Sequence, residues 1–367
     1  MRMRYKWVLL FGMFTLIACK KDTGNGLTPV NTNQYFPPIS SATWETVTPE
    51  SLGWNVASIP ALYDYLRVTQ TRAFIVTQNG RIVLEQYFDR NITTTGPFDQ
   101  NSQWYWASAG KTLTGFMVGK AQEEKLLSID QKTATYLGEG WTSLPRAKEN
   151  LITVKNQLTM TTGLDDGIPN NDNSSPANLI YKADAGTRWA YHNAPYTLLQ
   201  DVVSKAVKQP FERYFVDKLA SKIGMDGQWR RIDDNDVYFS TARGMARFGL
   251  LMANEANWDG QPILNDAAYY TASLTTSQNL NNSYGYLWWL NGKSSYRLPT
   301  TQTVFPGFIS PDAPADMVAA MGKNGQLLNI IRSKKIVVIR MGDSPDNSQV
   351  APTYQNEIWK RLNAVVK

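Results

Sequence analysis

The chain has 367 residues, with 43% hydrophobic and 12% aromatic content, which excludes a disordered protein and leaves room for one large domain or two intimate ones. Its formal charge is +6, but three of those charges are Arg2, Arg4 and Lys6, and no basic helix or block suits nucleic acid. A single cysteine, Cys19, excludes an intrachain disulfide, and with a single histidine, His192, it excludes a zinc site built from several His and Cys.

Residues 1–18 read as an export signal. The positive start is followed by the apolar run Trp7–Ala18, too short to span a bilayer and suited to a signal core. Leu16-Ile17-Ala18-Cys19 resembles a bacterial lipobox. That resemblance implies that Cys19 carries a diacylglyceryl group and opens the mature protein. Lys20-Lys21-Asp22 follows, and the lack of Asp directly after the cysteine implies export past the inner membrane. The expected location is the outer membrane, on its periplasmic side or at the cell surface. Residues 19–47 are expected to form the lipidated cysteine and a flexible tether. Thr23 to about Ser41 is rich in Gly, Asn, Thr and Pro and has no apolar periodicity.

Pro49 to Val68 places Leu52, Trp54, Ile59, Leu62, Tyr63 and Leu66 in a roughly helical pattern. Phe74-Ile75-Val76 and Ile82-Val83-Leu84 flank Asn79-Gly80, which predicts a hairpin over Ala73 to Phe88 closed by a type I′ turn. A polar loop leads to Trp104-Tyr105-Trp106, and a helix is expected from Ser108 to about Leu126. Gly115 and Gly119 keep one of its faces small. Each costs up to about 1 kcal/mol against Ala, so close packing and a central position are expected. From Leu127 to Met252, helical runs alternate with polar loops, including Leu198–Val207, Phe211–Ile223 and the run that starts at Ala242. Asn170 to Pro176 reads as a loop rimming a cleft. Tyr284–Leu290, Met317–Met321, Leu327–Ile331 and Ile336–Met341 read as strands, and Pro352 to Val366 as a closing helix. The expected architecture is α+β. Residues 48–107 and 282–367 supply an antiparallel sheet flanked by helices, and residues 108–281 an inserted, mostly helical domain.

Ser108-Ala109-Gly110-Lys111 stands where the aromatic run meets the helix. If the helix opens there, Ser108 and Lys111 lie one turn apart on the same face, at the positive end of a helix dipole. A serine nucleophile needs such a nearby base and local donors for the oxyanion. The same spacing also fits a Ser N-cap and an ordinary surface lysine. Downstream stand Tyr191-His192-Asn193 and, between two expected strands, Gly322-Lys323-Asn324-Gly325-Gln326.

The order Ser-x-x-Lys, Tyr-x-Asn, Lys-x-Gly resembles the serine β-lactamase and penicillin-recognising superfamily, more closely its class C β-lactamase-related branch of D-peptidases, esterases and amide hydrolases. Leu158–Leu164 and Ser240–Gly249 are similar to further segments of that family. The resemblance implies a β-lactamase/transpeptidase-like fold and an acyl-enzyme on Ser108. Lys111 would accept the serine proton or hold Tyr191 as phenolate, and Tyr191 would be the general base that later activates water. Asn193 would hold Lys111 and a substrate amide, and Lys323 would supply positive potential. The backbone N–H groups of Ser108 and Gln326 would form the oxyanion hole, with Asn324 and Gly325 in the same substrate-binding set. Asn324 stands where the family has a Thr hydroxyl, a departure that leans toward ester or amide substrates rather than β-lactams. This chemistry needs no metal and no cofactor.

Four further features read as structural. Tyr354-Gln355-Asn356 repeats Tyr-x-Asn but falls in the expected terminal helix. His192 is expected to face away from Tyr191 and Asn193. Trp104, Trp106, Trp189, Trp288 and Trp289 are expected mainly in the core. Asp165-Asp166 reads as a solvated turn. Three functions stay open: a lipid-anchored serine hydrolase of a small-molecule or peptide acyl substrate, a D-peptidase or β-lactamase of the same chemistry, and a non-catalytic binding protein on the same fold.

Overall fold

A computed structural model of the protein describes residues 34–343 and 348–366. The expected signal segment, Cys19 and the first part of the expected tether lie outside the described residues. Helix α1 spans Ile59–Val68, and strands β1 (Thr71–Gln78) and β2 (Arg81–Tyr87) form the expected hairpin. Asn79 (φ 49°) and Gly80 (φ 81°) both take the left-handed conformation that a primed two-residue turn demands. Strand β3 (Trp104–Tyr105) leads through a 3₁₀ turn, Ala107–Gly110, into α2 (Lys111–Glu123). Then come α3 (Asn193–Val207), a hairpin of β4 (Gln228–Ile232) and β5 (Asn235–Ser240), α4 (Ala242–Ala253) and α5 (Ala267–Ser273). The chain closes with β6 (Trp289–Leu290), β7 (Met317–Gly322), β8 (Gln326–Ile331), β9 (Ile336–Gly342) and α6 (Pro352–Leu362).

The six-stranded sheet runs β2-β1-β9-β8-β7-β6, antiparallel at every pairing, so early and late segments share it. Successive residues of a strand point to opposite faces. Leu328 reaches Gly249 of α4, whereas Asn329 bonds Gln355 and Trp359 of α6. The sheet is therefore a middle layer, and β7, β8 and β9 are buried along their whole lengths. Helix α2 is likewise buried on every side from Lys111 to Gly119. The small face left by its glycines receives Tyr269 of α5, whose hydroxyl donates to Gly115 O at 2.6 Å.

Residues 34–47 correct the expectation of a tether reaching residue 47. Tyr35 N–H donates to Asn79 O, Val47 N–H to Ile82 O, and the buried Trp44 donates through Nε1 to Gly80 O at 2.7 Å. Arg247 of α4 donates to the carbonyls of Pro37, Pro38 and Ser41, and to Ile223 O. The docking runs through backbone groups, which leave no apolar period to read. Residues 108–281 are not purely helical either. β5 pairs with β3 on one side and β4 on the other in a three-stranded sheet, and α4 packs on the large sheet. The expected strand over Tyr284–Leu290 shortens to β6 because Leu287 turns left-handed, at φ 64°. Among the described residues no helix is long and apolar enough to cross a membrane.

Candidate active site

The approach to Ser108 is held rigidly. β3 pairs with β5, Trp106 N–H donates to Tyr238 O at 2.8 Å, and Trp106 Nε1 donates to Ser240 Oγ at 2.8 Å. Ala107 then takes φ 48°, a conformation that costs a non-glycine residue about 1 kcal/mol or more. The resulting turn sets Lys111 Nζ 3.0 Å from Ser108 Oγ. The end of β7 closes on the same turn. A Cβ at Gly322 would lie 2.5 Å from Trp106 O and 3.1 Å from Ser108 N, so a glycine is required for the sheet to approach this closely.

Lys111 Nζ sits 4.3 Å from the ring centre of Tyr196 and 5.1 Å from that of Tyr191. Burial pulls the ammonium down to about 7, with Asp172 opposing. Tyr191 shares a hydrogen bond with Ser108. Burial pushes its phenol well above the ordinary range, and the Ser108 bond opposes that shift. That direction favours the neutral phenol over the phenolate that the resemblance allowed. Its ring stacks on Trp289 at 5.7 Å and meets Trp189 and Tyr284 edgewise or tilted, which fixes its position.

Asn193 opens α3, but its Nδ2 donates to Asp172 Oδ1 at 2.7 Å rather than bonding Lys111. Lys323 lines the cavity beside Ser108. Asn324 (φ 61°) and Gly325 (φ 69°) turn the chain sharply away, and Gln326 pairs opposite Gly322 at the start of β8. None of these three lines the cavity. The Asn324 side chain donates to Tyr105 Oη at 2.7 Å, and the buried Arg340 holds the carbonyls of Asn324 and Gly325 at 2.6 and 3.1 Å. Gln326 is fully buried and clamps Gly342 through both ends of its amide, accepting from N and donating to O at 3.0 and 2.6 Å. Its side chain is committed to the fold, so the oxyanion role that the resemblance implies falls to its backbone N–H, opposite the glycine packed on the Ser108 turn. His192 is buried and does not line the cavity.

The cavity measures about 330 Å³. Ala107, Ser108 and Lys111 form one wall, and Asp172, Asn193 and Tyr196 another. The tip of the β4–β5 hairpin, from Ile232 to Val237, and the residues Lys323 and Gln349 complete it. Sequence reasoning passed over Asp172, Tyr196, Gly322 and the hairpin. Asp172 lies in the loop expected to rim a cleft. Of the hairpin, only the run Val237-Tyr238-Phe239 of β5 carries a strand signal.

A family model described as Beta-lactamase matches residues 67–354. An uncharacterised protein of Alkalihalophilus pseudofirmus is 23% identical over 326 residues, covering 80% of this chain and 89% of that one. A solved structure described as a "Putative 6-aminohexanoate-dimer hydrolase" from Bacillus anthracis is similar, with TM-score 0.66, 19% identity and 91% of each chain covered. A penicillin-binding protein homologue from Caulobacter crescentus gives TM-score 0.65 at 12% identity, covering 84% of this chain and 96% of that one. On this fold, with this match across most of its length, the chain belongs to the beta-lactamase family.

Proposed function

We propose that the protein is a serine hydrolase that cleaves an ester or amide through an acyl-enzyme on Ser108. The observation that carries this reading is the 3.0 Å contact between Ser108 Oγ and an amine that burial brings to about 7. Neutral Lys111 takes the proton as Oγ attacks the acyl carbon, then returns it to the departing alkoxide or amine. Water repeats the sequence to release the acid. Tyr191, a neutral phenol on the same hydroxyl, orients Oγ and relays the proton. The oxyanion is assigned to the N–H groups of Ser108 and Gln326, the latter paired with the glycine that packs on that turn. One such donor is typically worth about 3 kcal/mol of barrier.

The test is turnover of p-nitrophenyl butyrate and fluorophosphonate labelling, on wild type and Ser108→Ala. The expected outcome is hydrolysis that falls at least about a thousandfold in the variant, with the adduct on the Ser108 peptide. Equal turnover or labelling in Ser108→Ala would sink the reading. A second reading, a D-peptidase or β-lactamase, draws support from Lys323 in the cavity and from a relative described as a penicillin-binding protein of Bacillus subtilis, 26% identical over 162 residues, which cover 41% of this chain and 39% of that one. A D-alanyl peptide and a chromogenic cephalosporin separate it from the first.

We also propose that Cys19 is acylated and holds the enzyme on the outer membrane, a reading supported by the Leu16–Cys19 pattern. Metabolic labelling with palmitate should mark the wild type and not Cys19→Ser. Equal labelling of both removes the proposal.

A further inference from the structure

We infer that Asp172 selects substrates whose acyl group carries an ammonium. The inference rests on the serine hydrolase reading and names the substrate class of that same cavity. Asp172 lines the cavity together with Ser108 and Lys111. A neutral amide from each of two elements fixes its carboxylate: Asn193 of α3 donates to Oδ1 at 2.7 Å and Asn235 of β5 to Oδ2 at 3.1 Å. Two carboxylate oxygens offer about four acceptor directions, so the amides orient the group without filling it, and they do not neutralise it.

The nearby arginines are engaged elsewhere. Arg188 pairs with Asp166 at 2.6 Å, and Arg231 with Asp236 and Asp234 at 3.2 and 3.7 Å. Among the described residues no ion pair reaches Asp172. The cation that does feel its charge is Lys111, and Lys111 must be uncharged to accept the serine proton. At the moment of attack the cavity therefore presents a fixed carboxylate that makes no ion pair; Lys323 lines the same space without bonding Asp172, and Asp233 lines it too, so two carboxylates face one lysine. A substrate ammonium supplies the missing charge and makes a charge-assisted hydrogen bond. Ile232 and Val237 line the same cavity and offer apolar contact to a methylene chain.

The experiment compares kcat/KM for p-nitrophenyl 6-aminohexanoate and its near-isosteric neutral partner, p-nitrophenyl heptanoate. Wild type, Asp172→Asn and Asp172→Glu are measured with both. The quantity read is the ratio of the two esters within each protein, so effects of a variant on folding or on Lys111 cancel. Wild type is expected to favour the ammonium ester by about tenfold or more. The ratio should fall close to one in Asp172→Asn and recover in part in Asp172→Glu. A wild-type ratio near one, or an undiminished ratio in Asp172→Asn, overturns the inference and leaves the hydrolase reading standing. Absence of Ser108-dependent turnover with either ester overturns the hydrolase reading, and the inference with it.

Discussion

A buried amine 3.0 Å from a hydroxyl acts as a base only where it is uncharged. Burial brings Lys111 to about 7, so the protonated, inactive form dominates on the acid side. For a neutral ester, kcat/KM should fall about tenfold per pH unit below 7 and level off above it. His192, pulled down to about 4 by its burial, cannot produce a limb there. Asp172 raises Lys111, so Asp172→Asn should move the limb to lower pH. Lys111→Arg keeps its charge throughout and should lose the limb together with about 10² to 10⁴ in rate. A pH–rate profile of the three proteins checks this. A limb that survives in Lys111→Arg rules out Lys111 as the base, and one that stays put in Asp172→Asn removes the Asp172 influence on it. What was legible at this scale follows distance along the chain. Ser108 and Lys111 meet within one helical turn, so their spacing shows it. Asp172 and Gly322 owe their positions to elements that approach from elsewhere, and no local pattern records that approach. The inward turn of the Gln326 side chain was not legible, because two left-handed residues reverse the chain just before it.

Element packing decides what a glycine in α2 is worth. In an isolated helix Gly119→Ala would gain about 1 kcal/mol. Here the new Cβ would sit 2.3 Å from Cε1 of Tyr269, and that ring is tethered by its hydroxyl to Gly115 O. The ring cannot withdraw without breaking the bond and parting α2 from α5. Overpacking of this kind costs about 1–3 kcal/mol, more than propensity returns. Gly119→Ala should therefore lower the urea midpoint, by up to about 2 kcal/mol of stability. Gly115→Ala comes no closer than 3.3 Å, to Tyr286 O, and should cost less. A midpoint for Gly119→Ala at or above wild type contradicts the packing argument. The two glycines were legible as a packing face because a helix repeats its faces every turn. The β1–β2 hairpin was legible from a turn that only Asn-Gly chemistry fits well. β4 was not, because Gln-Trp-Arg-Arg-Ile is largely exposed and carries no alternation that an edge strand needs.

At the scale of the molecule, the question is where the folded body begins. Everything from Gln34 onward clusters as one unit. Residues 34–47 cover β2, the edge of the large sheet, through a bridge between Thr46 and Ile82. They also supply three of the four carbonyls that hold the Arg247 guanidinium. A chain starting at residue 34 keeps all of these contacts. A chain starting at residue 48 leaves Arg247 with Ile223 O as the one remaining carbonyl partner, uncovers the β2 edge and removes the Trp44 ring from the core. Stripping partners from a buried charge costs about 3–5 kcal/mol. The first truncation should therefore unfold at the wild-type midpoint. The second should lose at least about 3 kcal/mol and associate through the exposed strand. Urea unfolding and sedimentation of the two chains measure both effects. Equal midpoints would mean that residues 34–47 lie on the body without stabilising it, and that the tether extends to residue 47 in energetic terms. Unequal midpoints would mean that the region from Gln34 to Val47 is part of the folded body and stabilises it.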